Sequence, residues 1–142
     1  MTIKPSLRRK ARYYAVQGVY EFQMSGNPLL DIETQFLELV NPKKTDIEYF
    51  RELLKGTLTS LATLDEKIAP HLDRTLDEVD PVERSILRIA TWELSERMDV
   101  PYRVVINEAL ELAKIFGAED GHKYVNGVLD NLAKELRPLE VR

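Results

Sequence analysis

The chain has 142 residues, 24 of them acidic and 20 basic, for a formal net charge of −4; this is the size of one domain able to bury a useful core. It contains no cysteine, which excludes disulfides, thiolate nucleophiles and cysteine–zinc sites and makes the cytosol the expected compartment. No apolar run reaches the length of a membrane span, and the basic start runs straight into Tyr13 and Tyr14 instead of an apolar stretch, so no secretory signal is expected.

The charge is unevenly placed. Lys4, Arg8, Arg9, Lys10 and Arg12 give the first 20 residues five positive charges and no acid before Glu21, leaving 15 basic and 24 acidic residues in the other 122. An acidic chain that opens on a purely basic cluster suits a localised polyanion site; a solvated first turn explains the same cluster.

The first helix starts at Pro5. Leu7, Ala11, Tyr14, Ala15, Gly18 and Phe22 form one apolar stripe at helical spacing, with Arg8, Arg9 and Arg12 expected on the exposed side. Ser25-Gly26-Asn27-Pro28 ends it, Gly26 being available for positive φ. A shorter helix carries Ile32, Phe36, Leu39 and Val40 and stops at Asn41-Pro42. Thr45-Asp46-Ile47-Glu48 reads as a capping box with threonine as the cap. It opens a long helix with an inner face of Ile47, Phe50, Leu54, Leu58, Leu61 and Ile68, ending at Pro70.

The polar stretch His71 to Asp80 reads as the connection between two helical halves, about 1–72 and 81–137, expected to pack together as a single domain over 1–142. Asp80 caps the next helix, Pro81 suits its first position and Glu83 completes a box. Val82, Ile86, Ile89, Ala90 and Leu94 give its buried side, and it closes near Arg97. A helical hairpin follows. Ile106, Ala109, Leu110, Ala113 and Phe116 line one arm; Val125, Val128, Leu129, Leu132 and Leu136 line the other. Gly117 is expected as a left-handed cap, with Glu119 and Asp120 in the first turn of the second arm. No segment alternates like a strand. The fold class is all-α, with about six or seven helices in two sub-bundles.

Several residues invite chemistry. Arginine-rich segments bind RNA through phosphates and splayed bases, and single strands need flat rings to stack on. Tyr13 and Tyr20 lie in or beside the basic helix; Tyr14, on the apolar stripe, reads as structural. Tyr20 is either a half-buried surface ring or an RNA contact. The turn from Gly117 to Lys123 fails as a nucleotide loop, since three residues separate its glycines, His122 intrudes and no strand precedes it. It reads as ordinary capping, although a helix start with Lys123 and Tyr124 exposed can hold one phosphate and one base. Trp92 is either core or an interface anchor. Glu108 and Glu111 read as a solvated face, and Asn107 with Asn126 as a bridge between helices. Two distant histidines and no HExxH or GxSxG pattern leave no enzyme to defend, and no cofactor or metal is implied.

The wording of the chain carries more than its pattern. PYRVVINEALELAKIFG followed by AEDGHKYVNGVLD, together with RRKAR, YEFQ, YFRELLKG and VERSILRIATWEL, resembles the NusB family of bacterial transcription antitermination factors over nearly the whole length. The resemblance implies a non-catalytic adapter that binds boxA-type single-stranded RNA of nascent ribosomal transcripts together with NusE, a small-subunit ribosomal protein. It would act on the elongating RNA polymerase complex with other Nus factors, with no membrane and no small-molecule substrate. It implies RNA contacts at Arg8, Arg9, Lys10, Arg12, Tyr20, Asp120, Lys123 and Tyr124, and a protein-partner surface at Glu83, Leu87 and Arg88. A carboxylate at an RNA site can accept from base amino groups, so Asp120 is expected to trade affinity for selectivity. Lys10 and Gly121 depart from the family pattern, where many members carry arginine and serine. The rival readings are a protein-interaction module, homodimeric or not, without specific RNA binding, and the recognition domain of a ribosomal RNA cytosine methyltransferase. The second of these is disfavoured because no cofactor-binding domain follows before Arg142.

Overall fold

The computed structural model describes residues 4–141. Among them are seven α-helices and no strand: α1 Pro5–Ser25, α2 Leu29–Leu39, α3 Ile47–Leu58, α4 Leu61–Ile68, α5 Pro81–Glu96, α6 Tyr102–Phe116 and α7 Gly121–Leu136. They form two compact units divided between Thr59 and Ser60.

In the first unit α1 packs on α2 and α3. Ala11, Ala15, Val19, Ile32, Phe50, Leu53 and Leu54 are fully buried there. Phe36 ties the aromatic part together, with ring centroids 6.4 Å from Tyr14 and 6.2 Å from Phe50. Gly18 lets α1 come close: a Cβ there would lie 2.8 Å from Leu54 Cδ1. Gly26 ends α1 at φ 73°, the left-handed cap expected of it. Leu39 corrects the predicted apolar face of α2, being 64% exposed, whereas Val40 just beyond the helix is buried.

The long helix expected from residue 47 to 68 is two helices. Thr59 Oγ1 donates back to the Lys55 carbonyl at 2.7 Å, and α3 closes there before α4 restarts at Leu61. The cap of α3 is Asp46, not Thr45: its carboxylate accepts from the Tyr49 amide at 3.0 Å, while Thr45 is buried. The Asp46 amide in turn donates to the Leu7 carbonyl at 3.1 Å, pinning the start of α3 to α1.

In the second unit α5 is central, packed against α4, α6 and α7. Asp80 caps it as expected, accepting from Val82 and Glu83 amides at 2.9 and 3.3 Å. Ile86, Leu94, Leu129 and Leu132 fill the core. Its C-terminus is sealed by a residue that periodicity does not reveal. Arg137, 4% exposed, donates to the carbonyls of Leu94 at 2.7 Å, Arg97 at 2.9 Å, Val100 at 3.0 Å and Glu93 at 3.3 Å. Its charge is met by Glu140 at 2.6 Å. One guanidinium thus adds a donor to each of four carbonyls at and just beyond the helix end, two of which, Glu93 and Arg97, also accept the amides of Arg97 and Val100.

Four further expectations are corrected here. Gly117 is extended, φ −88° and ψ 176°, and is required for space instead: a Cβ would lie 2.7 Å from the Ala113 carbonyl oxygen. Glu119 and Asp120 precede α7, whose first turn holds no acid. Glu108 is buried while Glu111 is exposed, and Asn107 faces solvent, so neither a shared carboxylate face nor an Asn107–Asn126 bridge is built.

Candidate nucleic-acid interface

The basic residues of α1 divide by helical geometry. Arg8 and Arg12 are four apart and share the side turned to α3. Their guanidiniums lie 4.3 and 5.4 Å from the centroid of Tyr49, a ring only 2% exposed. Arg8 Nε is also 3.6 Å from Asp46 Oδ2. Arg12 is buried at 4% exposure, which corrects its expected outward placement: the arginine completes the α1–α3 packing through Tyr49. Arg9 and Lys10 are exposed. Lys10 Nζ lies 4.7 Å from the Tyr13 ring centroid, and Tyr13 meets Tyr14 edge-on at 5.2 Å. Tyr20, further along the helix, is 38% exposed, and no acid lies in the first turn. The face therefore offers two outward cations, a third at its edge and exposed aromatic surface, which is chemistry suited to a polyanionic single strand.

A second cluster surrounds the start of α7. Asp120 and Lys123 are exposed and pair at 3.3 Å. Tyr124 is half-buried; its hydroxyl donates to Asp73 Oδ1 at 3.4 Å, and the Arg74 guanidinium lies 4.5 Å from its ring centroid. Burial pushes the Tyr124 hydroxyl pKa up. Arg74 forks onto Asp73 at 2.7 and 3.2 Å, and this bond holds the Asp73 carboxyl below its usual range. Under the turn, Glu83 is 8% exposed, and a Cβ on Gly121 would lie 3.1 Å from its carboxyl carbon. Burial, then the neighbouring Asp80, raises the Glu83 pKa. Glu83 therefore reaches α7 instead of completing a capping box on α5. With that carboxylate beside the first residue of α7, a bare phosphate site at the helix start is opposed by charge. Gly121 is the residue that leaves Glu83 this room.

The three predicted partner contacts on α5 turn inward to different degrees. Leu87 is 0% exposed and belongs to the core, which corrects its assignment to a contact surface. Arg88 is half-buried and clamps Asp65 of α4 with bonds of 2.9 and 2.8 Å. Trp92 is half-buried, between the two readings made of it. Sequence reasoning passed over Tyr49, Asp73 and Arg74. The only sign of the last two was an Asp-Arg pair in a polar connection, which periodicity cannot rank.

Comparison with known proteins accounts for this combination of features. The sequence profile described as the NusB family matches residues 9–134. The transcription antitermination protein NusB of Shewanella halifaxensis is 60% identical over 135 residues, covering 95% of this chain and all of that protein. Among solved structures, Thermotoga maritima (T. maritima) NusB superposes with a TM-score of 0.81 at 31% identity, covering 95% of this chain and 94% of that one. A second, described as antitermination factors NusB and NusE in complex with double-stranded RNA, gives a TM-score of 0.85 at 27% identity, over 93% of this chain and 99% of that one. The chain belongs to the NusB family.

Proposed function

We propose that this protein is a transcription antitermination factor. It binds boxA-type single-stranded RNA of nascent ribosomal transcripts together with NusE and acts on the elongating RNA polymerase complex with other Nus factors. The observation that carries the reading is the basic side of α1, with Arg9 and Lys10 outward and Arg8 anchored at its edge, in a chain that is otherwise acidic. Family membership and a solved relative described with NusE and RNA support the choice of partners. The role is non-catalytic and cytoplasmic, the chain working as one NusB-like domain; no helix of the described residues is long and apolar enough to cross a membrane.

On this reading Arg8, Arg9, Lys10, Tyr20, Lys123 and Tyr124 meet RNA, and Asp120 tempers their affinity. Arg12 acts from behind, by holding Tyr49 and the basic side of α1 in place. Arg88, half-buried on α5, serves the protein partner, with the buried Glu83 and Leu87 supporting that helix from within. A small basic surface binds RNA weakly alone, and a partner that extends the surface supplies the rest.

The test is binding of a boxA-containing RNA and a scrambled control at several salt concentrations, with and without NusE. Preference for boxA, enhancement by NusE and a steep salt slope that flattens in the Arg8→Ala, Arg9→Ala double variant are expected. Equal binding of both RNAs with no effect of NusE overturns the proposal in favour of a protein-interaction module.

A further inference from the structure

Asp46 joins the start of α3 to the first turns of α1. Its main-chain amide donates to the Leu7 carbonyl at 3.1 Å. Its carboxylate serves both helices: Oδ1 accepts the Tyr49 amide at 3.0 Å as the cap of α3, and Oδ2 lies 3.6 Å from Nε of Arg8. Tyr49, whose amide that carboxylate holds, has the Arg8 guanidinium 4.3 Å and the Arg12 guanidinium 5.4 Å from its ring centroid. The Asp46 side chain is 13% exposed and that of Arg8 22%, so salt screens this ion pair less than one in open solvent.

A surface ion pair is worth little, in part because two side chains must be immobilised to form it. Here one partner is immobile beforehand. Asp46 is tied at its main chain to Leu7 and at its side chain to the cap, so pairing costs only the freedom of Arg8. Arg8 also rests against a ring that is 2% exposed. An arginine ordered before its ligand arrives binds without the ordering cost that a free one meets. Phosphate contacts fix the register of a strand, whereas diffuse binding of any strand needs only charge. Asp46 therefore lowers the charge that α1 offers and sharpens where it is offered.

We infer that Asp46 is a positioning residue for RNA. Its carboxylate holds Arg8 in place on α1, and through Arg8 it sets the preference for boxA-type RNA over other single strands. The inference rests on the RNA-binding reading above and adds to it a residue of α3 that acts through another.

The test is a double-mutant cycle on the full chain with NusE. It reads the ratio of boxA to scrambled affinities in the parent, Asp46→Asn, Arg8→Ala and the double variant. Asparagine caps a helix as well as aspartate does, so the thermal midpoint should stay close to the parent's. Asp46→Asn should lower the ratio about fivefold, through weaker boxA binding without weaker scrambled binding. Arg8→Ala should lower it at least as much, and adding Asp46→Asn to Arg8→Ala should lower it no further. Asp46→Ser, which keeps a capping oxygen and gives up the second one, should behave as Asp46→Asn does. An unchanged ratio in Asp46→Asn overturns the inference alone, as do losses that add in the double variant, because the residue then acts independently of Arg8. Partial unfolding weakens both RNAs alike, so the ratio decides the question even for a destabilised variant. A parent protein with no preference for boxA overturns the functional reading, and this inference with it.

Discussion

Arg8, Arg9, Lys10 and Arg12 share a charge and a helix yet do different physical jobs. Arg12 is buried over Tyr49, so removing it deletes packing and a desolvated cation–ring contact. Arg12→Ala should cost about 2 kcal/mol of stability in urea unfolding. Arg9→Ala, at an exposed position, should leave the unfolding midpoint nearly unchanged and lower the salt slope of RNA binding by about one. Asp120 presents the converse case. Its carboxylate occupies Lys123 at 3.3 Å, and both side chains are exposed. Asp120→Asn releases that ammonium and removes a charge that repels phosphate, so affinity for non-cognate RNA should rise severalfold, by about the factor that one added phosphate contact confers. Filter binding with scrambled RNA measures it, and unchanged or weaker binding counts against the role given to Asp120.

At the scale of elements, the parts legible in the sequence are those where local chemistry and tertiary packing agree. α1 runs from Pro5 to Ser25 with Gly26 as its left-handed cap, and α5 starts under Asp80 and Pro81, as their residue types dictate. The misreadings arise where a second element intervenes. Gly117 is needed for closeness to a carbonyl, not for positive φ, which a residue type alone does not distinguish. The apolar pattern passes unbroken through Thr59-Ser60 because α3 and α4 each have a buried face, so periodicity reads one helix where there are two. The candidate site was legible as far as its charges and rings, and opaque as to which arginine faces inward, since that depends on Tyr49 arriving from α3. Arg137 is the extreme case, a cation just past the end of α7 that proves to be the cap of α5. Arg137→Ala removes a donor from each of four carbonyls in one step, although Glu93 and Arg97 keep a backbone amide partner. It should cost about 3 kcal/mol, read as a lowered thermal midpoint together with faster amide exchange at residues 97 to 100.

For the molecule as a whole, acid is the informative perturbation. Glu140 accepts the Tyr102 amide at 2.7 Å and the Arg137 guanidinium, with the amide bond the larger cause of its lowered pKa. A carboxyl whose folded pKa is depressed stabilises the protein above its unfolded pKa, and that contribution is lost as pH falls through the folded value. Stability should therefore drop below the ordinary glutamate range, about pH 4.3, and Glu140→Gln should reduce the pH dependence there. Urea midpoints measured from neutral pH downward test this, and identical pH profiles for the two proteins would contradict it.

The Arg137 cap also gives the second unit a direction in time. The carbonyls it serves precede it by 37 to 44 residues, so on the ribosome α5 is made long before its seal exists. The unit of α1 to α3 has no such debt: every partner of its basic helix named above, Tyr49 and Asp46 included, has been synthesised by residue 59. Birth order thus favours a basic helix that matures early and a later bundle that stays open until its last turn emerges. A chain stopped at Leu136 should keep native protection in α1 and α3 while the end of α5 exchanges freely, a snapshot of the protein part-way through its own synthesis.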